Sequence, residues 1–149
     1  MPAINDGGTI AILGGFADGR LALPYYSVDV ASRAGVAGFC EAMNRELPLE
    51  KRDIRLCYVC PAPADTEAER PYGELLRSMG SPSVPPGRAA DFVLASLLQR
   101  KRVAVMGRAN RWLARVNKLS PDVADLLRIR RVGRLLRHAF WSKTPGPPS

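Results

Sequence analysis

Ile54-Arg55-Leu56-Cys57-Tyr58-Val59 decides the fold class. Five of its six residues are apolar, it is opened by the charged Lys51-Arg52-Asp53, and Pro61 follows it closely. A run this short, poorly alternating and bounded by turn formers reads as a strand buried on both faces, the pattern of a parallel sheet. Working outward toward the amino terminus, Val30, Ala34, Ala37, Phe39, Cys40 and Met43 recur at helical spacing, predicting an amphipathic helix from Ser27 to Leu47 that ends before Pro48. Before it, Thr9-Ile10-Ala11-Ile12-Leu13, set between Gly7-Gly8 and Gly14-Gly15, reads as a second buried strand. Beyond residue 60, six prolines make residues 61–87 a loop-rich connection with room for one short helix around Gly73 to Met79. A helix from Arg88 to Arg100 and a strand from Val103 to Met106 complete the order strand, helix, strand, helix, strand. The class is therefore α/β, with about three parallel strands, flanking helices and a helical carboxyl-terminal extension.

The 149 residues suffice for one hydrophobic core without a staple, and 46% hydrophobic with 24% charged residues excludes wholesale disorder. No apolar run reaches the roughly 18 residues of a spanning helix, and the first residues lack the basic patch and apolar stretch of a signal peptide, so a cytoplasmic protein is expected. The net charge of +8 is lopsided: residues 1–99 hold 9 Lys/Arg against 12 Asp/Glu, whereas residues 100–149 hold 13 against 2. Cys57-Tyr58-Val59-Cys60 spells a CxxC, but zinc would need a second ligand pair, and positions three apart on a strand face opposite sides. With Cys40, these are expected to be reduced, buried thiols, and no metal site is expected.

Ala31 to Leu47, ending Glu41-Ala42-Met43-Asn44-Arg45-Glu46-Leu47 and followed by Asp53-Ile54-Arg55-Leu56, resembles the catalytic helix and the next strand of the short-chain dehydrogenase/reductase family. Thr9 to Gly15 resembles the strand before that helix, and Val59-Cys60-Pro61-Ala62-Pro63-Ala64-Asp65-Thr66 resembles the family's segment over the nicotinamide. The resemblance runs from about Gly7 to Met106 in the family's order and implies part of a Rossmann-like domain, residues 1–106. A basic helical extension, 107–143, and a disordered tail, 144–149, are read after it.

In the family, a tyrosine exchanges a proton with the substrate oxygen, a lysine four residues on lowers its pKa and holds the ribose, and a serine orients the carbonyl. Carried over, these positions are Asp29, Arg33 and Gly15, and none keeps the family's residue. Glycine has no hydroxyl, and a carboxylate in place of a phenol accepts a proton at neutral pH but does not donate one to a ketone. Arg33 is expected to form an i,i+4 ion pair with Asp29. If Val28-Asp29-Val30 is an insertion, Tyr26 takes the tyrosine's place instead, about two turns before Arg33. Arg33, Pro61 and Thr66 are the residues through which the resemblance would still hold a cofactor.

The glycine-rich nucleotide turn of the family's first half has no counterpart before Gly7, and Gly14-Gly15-Phe16-Ala17-Asp18-Gly19 fails as one because Asp18 and Arg20 stand where glycines are needed. The resemblance thus implies a truncated, catalytically inactive relative that serves as a binding or interaction protein or a remnant. It is expected to bind no cofactor alone; the alternative is an oxidoreductase for an alcohol or ketone, completed by a separate amino-terminal half that brings NAD(P). A homo-oligomer through the helix 27–47, by Val36, Phe39, Cys40 and Met43, is a further expectation. Pro121 to Lys143 places Val123, Leu126, Leu127, Ile129, Val132, Leu136, Ala139 and Phe140 near one stripe, with arginines largely off it and Trp112 and Trp141 adding amphipathic rings. That pattern suits either packing on the domain or a peripheral membrane contact through 121–143, with a break possible at Gly133. Nucleic acid is not expected, as no known binding module is visible.

Overall fold

The computed structural model describes residues 4–15 and 21–141; the tail 144–149 lies outside them. Three parallel strands, β1 (Thr9–Leu13), β2 (Arg55–Cys60) and β3 (Val103–Val105), form one sheet in that order. This is a partial Rossmann-like α/β fold. Helix α1 (Ser27–Leu49) covers one face, where Ala37, Cys40 and Leu47 pack on Leu56, Tyr58, Cys60, Ile10 and Ile12. Helix α3 (Pro86–Leu98) covers the other, where Phe92, Val93 and Leu97 meet Cys57, Val59, Ala104 and Ala11. The alternation of Leu56, Tyr58 and Cys60 against Cys57 and Val59 is hidden in the sequence because both faces are apolar. It also sends the two CxxC sulfurs to opposite sides, and burial raises the Cys57 thiol above its ordinary pKa, as it does that of Cys40.

The helices that feed β2 and β3 end alike. After α1, Lys51 takes a left-handed φ of 56°, Arg52 N–H donates to the Leu47 carbonyl at 2.9 Å and Lys51 N–H to that of Pro48 at 3.1 Å. After α3, Arg100 (φ 48°) and Lys101 repeat the pattern onto Leu97 and Ser96. These are Schellman endings built on basic residues instead of glycine. Helix α1 runs through Pro48 instead of stopping before it, since a proline so near the end forfeits a single helical bond. Likewise α3 begins at Pro86, where proline suits the first turn, and closes at Leu98. The Arg100 guanidinium then bonds the Gly7 carbonyl at 2.6 Å and Asp53 Oδ1 at 2.5 Å, while Arg52 holds Asp6 at 3.0 Å and keeps its carboxyl below the usual range. The amino-terminal ends of the strands are thereby tied together, leaving the carboxyl ends for a site.

The loop after β2 holds a 3-10 turn (Arg70–Tyr72) and the short α2 (Gly73–Ser78). Then come α4 (Arg108–Leu119), α5 (Pro121–Ala124), a π-helical turn (Asp125–Ile129) and α6 (Arg130–Trp141). Gly133 does not break this last stretch, for it lies within α6. The irregularity is the π turn, where Arg130 N–H reaches back five residues to the Asp125 carbonyl. It shifts the apolar stripe: Ala124, Ile129, Val132 and Leu136 point inward, the last 0% exposed, while Val123, Leu126 and Leu127 of the expected stripe point outward. The inward set joins Leu21 and Leu113 in one cluster and Met79, Leu23, Tyr26 and Leu75 in another, forming a second core beside the sheet. On α1, Cys40 and Met43 belong to the sheet core, so only Val36 and Phe39 of the expected contact face lie outward. Among the described residues no helix is long and apolar enough to cross a membrane.

Candidate functional site

At the carboxyl ends of β1 and β2 a cavity of about 570 Å³ opens between the two cores. Open α/β sheets bind ligands at this end. Gly15 brings the end of β1 to it, Tyr26, Asp29, Val30 and Arg33 come from the first turns of α1, Pro61, Ala62 and Pro63 follow β2, and Tyr72, Leu75, Leu76 and Met79 line it from the 3-10 turn, α2 and its cap. Gly15, Tyr26, Asp29, Arg33 and Pro61, separated by up to 46 positions, are thus brought together as the sequence suggests. Thr66 is not among the lining residues; it is exposed, with its carbonyl accepting from Glu69 and Arg70 N–H in the start of the 3-10 turn.

The polar centre is an ion pair. Arg33 Nε donates to Asp29 Oδ1 at 2.7 Å, each side chain about two-fifths exposed, as expected from their spacing of four. The guanidinium lies against Gly15: a Cβ built there would collide with Arg33 Nη1, Cζ and Nε. The volume that a side chain on Gly15 would take is therefore filled by Arg33. Beneath, the Tyr58 hydroxyl donates to the Arg33 carbonyl at 3.4 Å, and its ring occupies the space beside Gly14.

Tyr26 stands at the cavity wall. Burial pushes that phenol above its ordinary pKa, and the charges of Asp29, Tyr72 and Glu69 push in the same direction. Activation of a phenol as a base requires the opposite shift. Tyr25, at a left-handed φ of 68°, turns the chain into α1, and both tyrosines meet Phe140 of α6, with ring centroids 6.0 and 5.8 Å apart. Arg128 donates to the Met79 carbonyl and lies over Gly80, fastening the π turn to the end of α2. The lid made by Phe140 and Met79, with Leu21 and Leu23 behind it, was not foreseen from sequence. The one available signal was the five-residue step from Ala124 to Ile129 in an otherwise three-and-four spacing.

No protein-family profile matches the sequence, and no curated protein matches it. Among solved structures, the fold is similar to that of a short chain dehydrogenase from Burkholderia cenocepacia J2315 in complex with NADP, with a TM-score of 0.60 and 25% identity. The match covers 82% of this chain and 46% of that one, so the chain spans less than half of the enzyme's length. The protein thus has a short-chain-dehydrogenase-like fold, over the part of it described above.

Proposed function

We propose that the chain is a short-chain-dehydrogenase-like binding protein without hydride-transfer chemistry of its own, and that its cavity takes a small, neutral, largely apolar molecule bearing a carbonyl or hydroxyl group. One observation carries this reading: Arg33, paired to Asp29, fills the place beside Gly15 where the family's serine would orient a substrate. The remaining Arg33 donors suit a carbonyl oxygen, and Leu23, Val30, Leu75 and Met79 suit an apolar body. Among the described lining residues Asp29 and Glu69 outnumber Arg33 and disfavour an anion.

The NADP of the similar structure raises the question of a nicotinamide cofactor here. The residues present do not fit one. Thr66 lies off the cavity, and Ala62 N–H is turned onto Met106 Sδ at 3.4 Å. Titration of the purified chain with NADPH, followed by its fluorescence, is expected to give no saturable change, while neutral ketones raise the melting temperature and matched carboxylates do not. Nicotinamide-dependent turnover of an alcohol or ketone by this chain alone would refute the proposal.

A second reading, an oxidoreductase subunit completed by another chain that brings NAD(P), is favoured by the sheet itself. The outer edge of β1 has no strand beside it among the described residues, and Leu13 is 65% exposed there, whereas β2 is nearly sealed. NADPH binding by a complex recovered from cells, and absent from the chain alone, would select this reading.

A further inference from the structure

A second cavity, of about 550 Å³, lies along β3 and shares no lining residue with the first. All of β3 forms its floor, together with Ala37 and Phe92. Tyr58 N–H bonds the Arg102 carbonyl and Met106 N–H bonds that of Cys60, each at 2.9 Å, so β3 turns the backbone groups of residues 102, 104 and 106 toward β2. By alternation, the amides and carbonyls of Val103 and Val105 face the other way, along an edge that no strand covers among the described residues.

The walls are basic. Lys101 and Arg102 stand at the start of β3, and Arg111, Arg115 and Lys118 line one face of α4 at i, i+4 and i+7. None of these five is in an ion pair among the described residues. Glu41, the one carboxylate among the described lining residues, is bonded to Arg45 at 2.5 Å. Cations crowded around an open strand edge call for an anionic strand. A second copy of this chain would bring its own five cations to the same edge. A bilayer is too flat to reach a concave floor, and single-stranded nucleic acid finds Phe92 as the only aromatic ring among the described lining residues.

We propose that this groove binds an extended acidic peptide segment of a partner protein, added as a strand to the free edge of β3 with its carboxylates on Lys101, Arg102, Arg111, Arg115 and Lys118. Backbone bonds to Val103 and Val105 would supply register, and the cations would supply selectivity and rate of encounter. The inference is independent of what occupies the cavity at Arg33.

The test is fluorescence polarisation with a short labelled peptide alternating glutamate and valine. Saturable binding that weakens with salt is expected, with about tenfold loss on replacing Arg111→Glu and Arg115→Glu together. Arg111→Gln with Arg115→Gln, checked by an unchanged melting curve, guards against misfolding and should give a smaller loss. Methylating alternate peptide amides in one phase should abolish binding, and in the other phase should be tolerated. Equal behaviour of the two methylated peptides would overturn strand addition. Indifference to both double variants would overturn the site. Groove-dependent binding of duplex DNA or of phosphatidylserine vesicles, with no binding of the peptide, would overturn the choice of partner.

Discussion

The two cavities are nearly equal in volume and opposite in character. The one at the ends of β1 and β2 is roofed by the chain's own second core, and its arginine is held by a carboxylate one helical turn away. Among the described residues the one along β3 has no such roof, and none of its cations has a carboxylate partner. The same division runs through the chain: Arg33, Arg45, Arg52, Arg70 and Arg100 all pair with carboxylates, and among the described residues no lysine or arginine after Arg100 does. Where acid and base are interleaved in sequence, charge is spent on tying local structure. Where base stands nearly alone, it is left without a carboxylate partner among the described residues, and a residue such as Arg128 ties structure through the Met79 carbonyl instead.

The contrast can be broken most severely at the roof. Leu136→Ala removes a fully buried side chain from the inner face of α6 and should destabilise the protein by about 2–5 kcal/mol in urea unfolding. A negligible change would mean that the helix hangs free and that the first cavity is as open as the second. Gly15→Ser, which puts a hydroxyl where the resemblance places a serine, should cost about 0.5 kcal/mol, because the part-exposed Arg33 guanidinium must swing aside and give up its i,i+4 pair with Asp29. Most of that loss should vanish in a Gly15→Ser, Arg33→Ala double variant, and additive losses would show that the guanidinium does not fill the site.

Tyr26 sharpens the comparison through pH. Its raised pKa means that the folded state holds the phenolic proton more tightly than the unfolded chain. This contribution is complete below the unfolded value of about 10 and is lost as pH rises through the folded value. Stability should therefore fall from about pH 10 upward, and Tyr26→Phe should flatten that limb of the curve. The smallest effect belongs to the basic groove. Arg115→Gln should raise stability by a few tenths of a kcal/mol at low salt, on the scale of like-charge relief, and the gain should disappear near 1 M salt. A loss instead would mean that Arg115 has a stabilising partner.

The fold class was legible because Thr9–Leu13 and Arg55–Cys60 are short apolar strands with punctuation on either side, and α1 between them has a clear stripe. The Asp29–Arg33 pair was legible too, since a spacing of four fixes its geometry within one helix. The second core was not. Its members Leu21, Met79, Leu113 and Leu136 come from four separate segments, and no local period links them. The expected stripe on residues 121–143 assumed a uniform helix, and a single wide turn at Asp125–Ile129 divides it between interior and exterior. The groove along β3 depends on α4 lying beside the sheet edge, which spacing alone does not encode.

That wide turn also makes the carboxyl-terminal segment sensitive to length in a way its composition hides. Deleting one residue between Asp125 and Ile129 would let the backbone relax into an ordinary α-helix with the inward residues at steps of four, three and four, whereas adding one would rotate everything downstream by about 100°. After such an insertion Val132 and Leu136 would swing toward water and neighbouring arginines toward the hydrophobic interior, so one extra codon there would do more harm than one missing codon.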